Sequence, residues 1–322
     1  MKKELTYLET VKMIAEIKQC FEKQLSTRLS LIKVPCPLFV KSSSGLQDTL
    51  SGKEKSVSFT KGKETFEVVH SLAKWKRETL GRYGFPLHTG LYTDMKAIRK
   101  DEIVDDIHSL YVEQYDWEQV IKYEDRTIEY LKETVKKIYK ALRETLLHMK
   151  KRYKFISLDL PKSIYFITSQ ELEDMYKDKD PKEREELITK EKGSVFIIGI
   201  GDKLKSGIPH DSRSPDYDDW SLDGDMLVYD KTIGKAMEMT SMGIRVDEKS
   251  LISQLEKTGT LDRLELPYHK KIVRKEIPYS IGGGIGMTRI CMLILERSHI
   301  AEVQASSWEE KTLKELTDKR IL

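Results

Sequence analysis

With 322 residues, the chain is long enough for one large domain or two modest ones with ample core. Charged residues make up 34% and hydrophobic residues 39%, and 56 basic against 53 acidic side chains leave a net charge of +3. That even balance speaks against a nucleic-acid binder, whose sign is a concentrated basic face, and for a mixed solvated surface.

The three cysteines, Cys20, Cys36 and Cys291, are widely spaced and form no Cys-x-x-Cys pair. Neither a disulfide framework nor a zinc site is supported. No apolar stretch approaches the ~20 residues of a membrane span. The start, Met1-Lys2-Lys3-Glu4, runs into polar helix and not into a signal-peptide core. A reduced cytoplasmic compartment, with no membrane partner, is the expectation.

Residues 5–28 predict an amphipathic helix, with Val11, Ile14, Phe21 and Leu25 on one stripe. Residues 29–40 are apolar and carry Pro35 and Pro37, which predicts an edge strand or an interface segment, because proline cannot donate to a ladder. Residues 42–63, rich in Ser, Gly and Lys, read as a long loop, of a length that is usually functional or disordered. A short strand at 66–69 and a helix at 70–81 follow. Residues 109–118 alternate, with Gln114 and Asp116 on one strand face and Tyr115 and Trp117 on the other.

The strongest helix is 126–150, whose Ile128, Leu131, Val135, Ile138, Leu142 and Leu146 recur at three and four. Strands at 163–168 and 195–200 flank a charged helix near 181–191. Asp225 then opens a strand at 226–229, a strand at 236–246 carries Glu238, Ser241 and Arg245, and a helix spans 247–257. Strands and helices mix without regular βαβ alternation, which predicts an α+β fold with a largely antiparallel sheet flanked by helices. No linker divides the chain, so residues 1–322 are expected to form one domain.

Gly282, Gly284 and Gly286 leave one face of an extended segment bare, so a flat ligand could lie on the backbone. Arg289 follows at the start of an apolar helix, within reach of a ligand phosphate. The P-loop and dinucleotide fingerprints do not fit, since Met287-Thr288-Arg289 follows the glycines near the carboxyl end. Asp225 and Glu238 are candidate ligands for a hard divalent cation, and Arg245 and Arg289 for phosphates or carboxylates.

These residues resemble the class II aminoacyl-tRNA synthetases. The glycine ladder ending in Arg289 is similar to motif 3, and Arg99 with the strand ending at Glu118 is similar to motif 2. The first helix and the Pro35 strand resemble motif 1, which implies a homodimer interface within residues 1–40. Glu238, Ser241 and Arg245 match a Glu-x-x-Ser-x-x-x-Arg stretch of aspartyl-tRNA synthetases. From about residue 5 to about 305 the chain more closely resembles the ammonia-dependent asparagine synthetases. The runs FEVVHSLAKWKR (66–77), GLYTDMK (90–96), PDYDDW (215–220) and SMGIRVD (241–247) carry that likeness, with Gln47-Asp48 and residues 281–289. One departure is that only Ser221-Leu222-Asp223 joins the Asp-Asp-Trp run to Gly224-Asp225, where many members have a longer connection.

The resemblance implies adenylation of the aspartate side chain by ATP, then displacement of AMP by ammonia. Arg99 would hold the α-phosphate, Arg289 the γ-phosphate, Gly282, Gly284 and Gly286 the nucleotide, and Asp225 and Glu238 Mg²⁺. Ser71, Lys76, Gln114, Ser241 and Arg245 would fix aspartate, with Gln114 also counted among the catalytic groups. Asp116 and Asp218 would hold the amino group or the ribose. Asp48 would either take a proton from ammonium or bind the substrate amino group. Two rival readings are a synthetase relative that charges RNA, for which no residues remain to build an anticodon-binding domain, and a non-catalytic module, for which the metal carboxylates and motif arginines should have decayed. Free ammonia is the expected nitrogen donor, because position 2 is Lys2 and the three cysteines read as small buried or interface residues.

Overall fold

The computed structural model describes residues 4–52 and 54–322, so the reading at Lys2 lies outside the described residues, as does Lys53 of the 42–63 segment. Helix α1 (Tyr7–Leu29) is followed by β1 (Leu31–Lys33), β2 (Phe39–Lys41), β3 (Ser58–Lys61), β4 (Glu64–Val68), α2 (Ala73–Tyr83), β5 (Gly90–Ile98) and β6 (Tyr111–Val120). Next come α3 (Ile128–Arg152), β7 (Tyr165–Thr168), α4 (Ser169–Met175), α5 (Pro181–Lys192), β8 (Ser194–Ile198), β9 (Asp218–Asp230) and β10 (Lys235–Arg245). The chain continues through α6 (Glu248–Thr258), α7 (Pro267–Val273), β11 (Ser280–Gly286), α8 (Met287–Ile294) and α9 (Glu310–Glu315).

Local chemistry sets the helix ends. Thr6 and Glu9 form a reciprocal capping box at the start of α1, and Ser30 closes it in the left-handed conformation at φ 53°. Thr127 caps α3, whose last turn holds Lys150, Lys151 and Arg152 against the negative end of the helix dipole. Asp247 caps α6 by accepting from the Lys249 and Ser250 amides, so that helix starts one residue later than its periodicity predicts.

Eight strands form the main sheet in the order β1-β5-β6-β11-β10-β9-β8-β7. Its interior pairs are antiparallel, and only the two edge strands, β1 and β7, join in parallel. Period-two alternation splits the central strands between two faces. Tyr115, Trp117, Met226, Val228, Met242, Ile244, Ile281 and Ile285 pack into the core with α1, α3 and α8. The opposite face receives Gln114, Asp116 and Glu118 from β6 and the bare glycines of β11. A second, three-stranded sheet, β2-β4-β3, stands apart from it.

Several expectations change. Val11 is 50% exposed, and the buried stripe of α1 runs through Met13, Ile14, Ile17, Phe21 and Leu25. The prolines 35 and 37 fall in the link between β1 and β2, while β1 is an edge strand as expected. The 42–63 segment is not all loop, since β3 pairs with β4 in a hairpin. Asp225 does not open a strand but sits inside the 13-residue β9. The shortened connection at residues 221–223 is therefore continuous strand. Among the described residues no helix is long and apolar enough to cross a membrane.

Candidate active site

Strand register places the site residues in rows across the polar sheet face. One row runs from Asp116 on β6 through Gly284 on β11 and Ser241 on β10 to Asp225 on β9. A second row joins Glu118, Gly282, Gly243 and Asp223, and Gln114 pairs with Gly286. The glycines make room for their neighbours' side chains. A Cβ at Gly282 would stand 1.9 Å from Glu118 Oε2, and one at Gly284 would stand 2.6 Å from Gln114 Oε1 and 2.7 Å from Asp116 Oδ1. At Gly286 the nearest atom is Arg289 Cδ at 3.6 Å, so this last glycine leaves open space over the backbone.

One end of the face is a dense, buried set of charges. Arg245 donates through Nε and Nη2 to Glu118 at 2.9 and 2.7 Å and through Nη1 to Asp218. Lys76 on α2 donates to the Gly283 carbonyl at 2.9 Å and lies 3.7 Å from Asp116 and 3.9 Å from Glu118. Burial pulls the Lys76 pKa below the usual lysine range despite these acids. Burial also works against a charged Glu118, but Arg245 and Lys76 overcome it and hold that carboxyl below its ordinary value. At Asp218 burial wins over Arg245, and the pKa rises.

Asp116 Oδ2 accepts from the Leu72 amide at 3.0 Å and so fixes the entry to α2. Asp48, 2% exposed, accepts from Ser71 Oγ at 2.6 Å and from the Leu50 amide at 2.8 Å. A buried hub anchors the loop before β9. Asp216 receives Lys74 Nζ at 2.6 Å, His269 Nε2 at 2.9 Å, Arg263 Nη1 at 3.0 Å and Ser214 Oγ at 2.8 Å.

The other end is rich in arginine. Arg289 donates to the Glu238 carbonyl at 2.9 Å. Arg99 follows β5, and its Nε has no hydrogen-bond partner. Arg213 donates to Asp225 and lies 3.7 Å from Asp223. Burial, with Glu238 adding to it, raises the Asp225 pKa in spite of Arg213. For Glu238 burial acts in the same sense, but Arg289, Arg213 and Lys182 outweigh it and its pKa falls. The pair is thus two hard oxygen donors on adjacent strands, an apt donor set for Mg²⁺. Among the described residues no group of three or more acidic, His or Cys side chains could hold a metal ion.

A single cleft takes in Asp48, Ser71, Lys76, Arg99, Gln114, Asp116, Asp218, Glu238, Ser241, Arg245, Gly284, Gly286 and Arg289. Gly282 and Asp225 do not line it, being covered by Glu118 with Arg245 and by Arg213. Sequence reasoning missed Glu118 and Arg213. The period that pairs Gln114 with Asp116 reaches Glu118 at the next step, so that signal was present. Arg213 lies just before the PDYDDW run, but nothing local marks it as the partner of Asp225. The cleft can hold a small molecule of mixed charge at the Lys76–Arg245 end and a polyanion at the Arg99–Arg289 end.

A family model described as aspartate-ammonia ligase matches residues 8–320. The aspartate–ammonia ligase of Clostridium tetani is 52% identical over 316 residues, 97% of this chain and 93% of that protein. That of Ligilactobacillus salivarius is 52% identical over 325 residues, 98% and 96% of the two chains. Among solved structures, asparaginyl-tRNA synthetase from Pyrococcus horikoshii complexed with asparaginyl-adenylate superposes with a TM-score of 0.67 at 14% identity. That match covers 91% of this chain and 67% of the synthetase. Aspartyl-tRNA synthetase from Entamoeba histolytica gives a TM-score of 0.60 at 16% identity, over 92% and 57%. The fold is that of the class II aminoacyl-tRNA synthetases.

Proposed function

This chain belongs to the aspartate–ammonia ligase family, and on that premise we infer that it makes L-asparagine from L-aspartate, ammonia and ATP. An oxygen of the aspartate side-chain carboxylate attacks the α-phosphorus and pyrophosphate leaves. Ammonia then attacks the acyl carbon of the β-aspartyl adenylate and AMP leaves. The observation that supports this order is the glycine ladder, which has Lys76 and Arg245 at one end and Arg99 and Arg289 at the other.

Aspartate binds with its carboxylates toward Lys76 and Arg245, and its ammonium group toward Asp116, Asp218 or Asp48. Ser71, Gln114 and Ser241 add hydrogen bonds. ATP lies over Gly284 and Gly286, with Arg99 on the α-phosphate, where charge builds in the transition state. Arg289 clamps the γ-phosphate, and its planar guanidinium stacks beside the adenine. Asp225 and Glu238 would hold Mg²⁺, which supplies charge neutralisation at the phosphates when bound.

Ammonia reaches the site as ammonium, and Asp48 either takes its proton or holds the substrate amino group. The nitrogen comes from solution and not from glutamine. Burial pushes the Cys291 thiol up to about 12 and raises that of Cys36, the reverse of what a nucleophilic cysteine needs. We further propose that the enzyme acts in the cytoplasm as a homodimer in which each chain forms one catalytic unit.

Incubation with aspartate, ATP, Mg²⁺ and ammonium is expected to give asparagine, AMP and pyrophosphate. ADP and inorganic phosphate as products would overturn the adenylate route, and robust product from glutamine would overturn the ammonia assignment.

A further inference from the structure

Arg213 is the arginine of the cleft whose partners are least suited to a permanent role. It lies in the irregular stretch between β8 and β9, its side chain 13% exposed, and it lines the same cleft as Arg99 and Arg289. Its guanidinium is engaged by carboxylates of β9. Nη2 donates to Asp225, and Nε lies 3.7 Å from Asp223 without making a hydrogen bond.

Asp225, Asp223 and Glu238 belong to neighbouring strands of a paired sheet and cannot move apart. Carboxylates held together out of water need a counter-charge. Arg213 supplies one from an irregular segment, which can shift while the strands stay put. A cation that took the Asp225 oxygen to which Arg213 donates would displace the guanidinium from it. Once released, a guanidinium inside the cleft meets phosphate oxygens, which suit its planar fork.

We propose that Arg213 is an exchangeable counter-ion. It neutralises Asp225 in the empty enzyme, yields that carboxylate to the divalent cation that arrives with ATP, and turns its guanidinium onto the phosphates. This rests on Asp225 and Glu238 being the cation's ligands.

The test uses Mn²⁺ as the probe, with free Mn²⁺ measured by electron paramagnetic resonance on the full chain. Titrations are run with and without an ATP analogue carrying a methylene between the α- and β-phosphorus atoms. Wild type is expected to bind Mn²⁺ weakly alone and tightly with the analogue. Arg213→Met should bind Mn²⁺ alone about tenfold tighter or more, because a competing charge at contact distance is gone, and should bind the analogue more weakly. Arg213→Lys should stay near wild type for Mn²⁺ alone. An unchanged or lower Mn²⁺ affinity in Arg213→Met, with wild type still binding Mn²⁺ beside the analogue, overturns the exchange. Absence of Mn²⁺ binding by wild type even with the analogue overturns the ligand assignment and the exchange together. Should Arg213→Met fail to fold, crystals of wild type with Mn²⁺ and the analogue decide. Arg213 swung onto the phosphates supports the exchange, and Arg213 still paired with Asp225 beside bound Mn²⁺ refutes it.

Discussion

The Glu118 carboxylate runs along the Nε–Nη2 edge of the Arg245 guanidinium, at 2.9 and 2.7 Å, in the space a side chain at position 282 would occupy. Ser280 Oγ steadies the same carboxylate at 2.8 Å. Arg245 is therefore oriented before substrate arrives, so little ordering is left for the binding step.

The first and last ladder glycines should respond differently to alanine. Gly282→Ala places a methyl on Glu118 and should destabilise the fold by ~1–3 kcal/mol, the usual cost of overpacking. Gly286→Ala meets nothing closer than 3.6 Å and should keep its thermal midpoint. Because the methyl would stand where nucleotide lies, KM for ATP should still rise. Thermal melts and ATP kinetics together check this, and an unchanged KM in Gly286→Ala would place the nucleotide elsewhere.

Arg99→Ala and Arg289→Ala should each lower kcat/KM for ATP by about 10²-fold or more, the scale of removing one donor to transition-state charge. Steady-state kinetics at saturating aspartate measures this. Near wild-type values in either variant would refute that arginine's role.

Asp48→Asn separates the two half-reactions. If Asp48 takes the ammonium proton, pyrophosphate exchange should persist while asparagine formation falls by roughly 10²-fold or more. Equal loss in both assays would assign Asp48 to the substrate amino group.

How far the site could be read from sequence depends on how local each signal was. Arg289 and the glycines share one short segment, and Gln114 with Asp116 betray themselves as polar residues on an alternating strand. Arg245 is visible as a residue type, but its engagement by Glu118, 127 positions away, is not. The early part of β9 carries no strand signal because its DDWSLDGD run is mostly acidic or small, and those acids are buried against arginines and a backbone amide and not in water. Val11 was misread because its apolar spacing fits a helix stripe equally well on the outer face.

That outer face motivates the dimer. Tyr7, Leu8 and Val11 on α1 are 55%, 62% and 50% exposed, and Ile32 on the edge strand is 63% exposed. Tyr7, Leu8 and Val11 share one stretch of α1, and exposed apolar groups gathered in this way mark interaction surfaces. Sedimentation at micromolar concentration should show a dimer, and Val11→Glu should shift it toward monomer. A wild-type monomer would count against the interface.

Asp216 supplies a pH-dependent prediction. Burial disfavours its charge, but Lys74, His269 and Arg263 hold the carboxyl well below the usual range. A depressed folded pKa stabilises fully above the unfolded value of ~3.9, and that contribution fades as pH falls below it. Asp216→Asn leaves Lys74, 2% exposed, without its carboxylate. The loss at pH 7 should be ~3–5 kcal/mol. Urea unfolding should show the gap to wild type narrowing at pH 3, and an equal gap at both pH values would dismiss the charge account.

The strand that completes the site is the last strand of the sheet to be synthesised. β11 lies between β6 and β10, so until residues 280–286 leave the ribosome both of those strands present unpaired edges. At ordinary elongation rates β6 waits roughly 10–30 s for its partner. Once β10 has been made, the nascent chain holds two half-sheets until β11 follows, each with an open edge able to capture another chain. The glycine floor of the site and relief from that hazard arrive together, with the same seven residues.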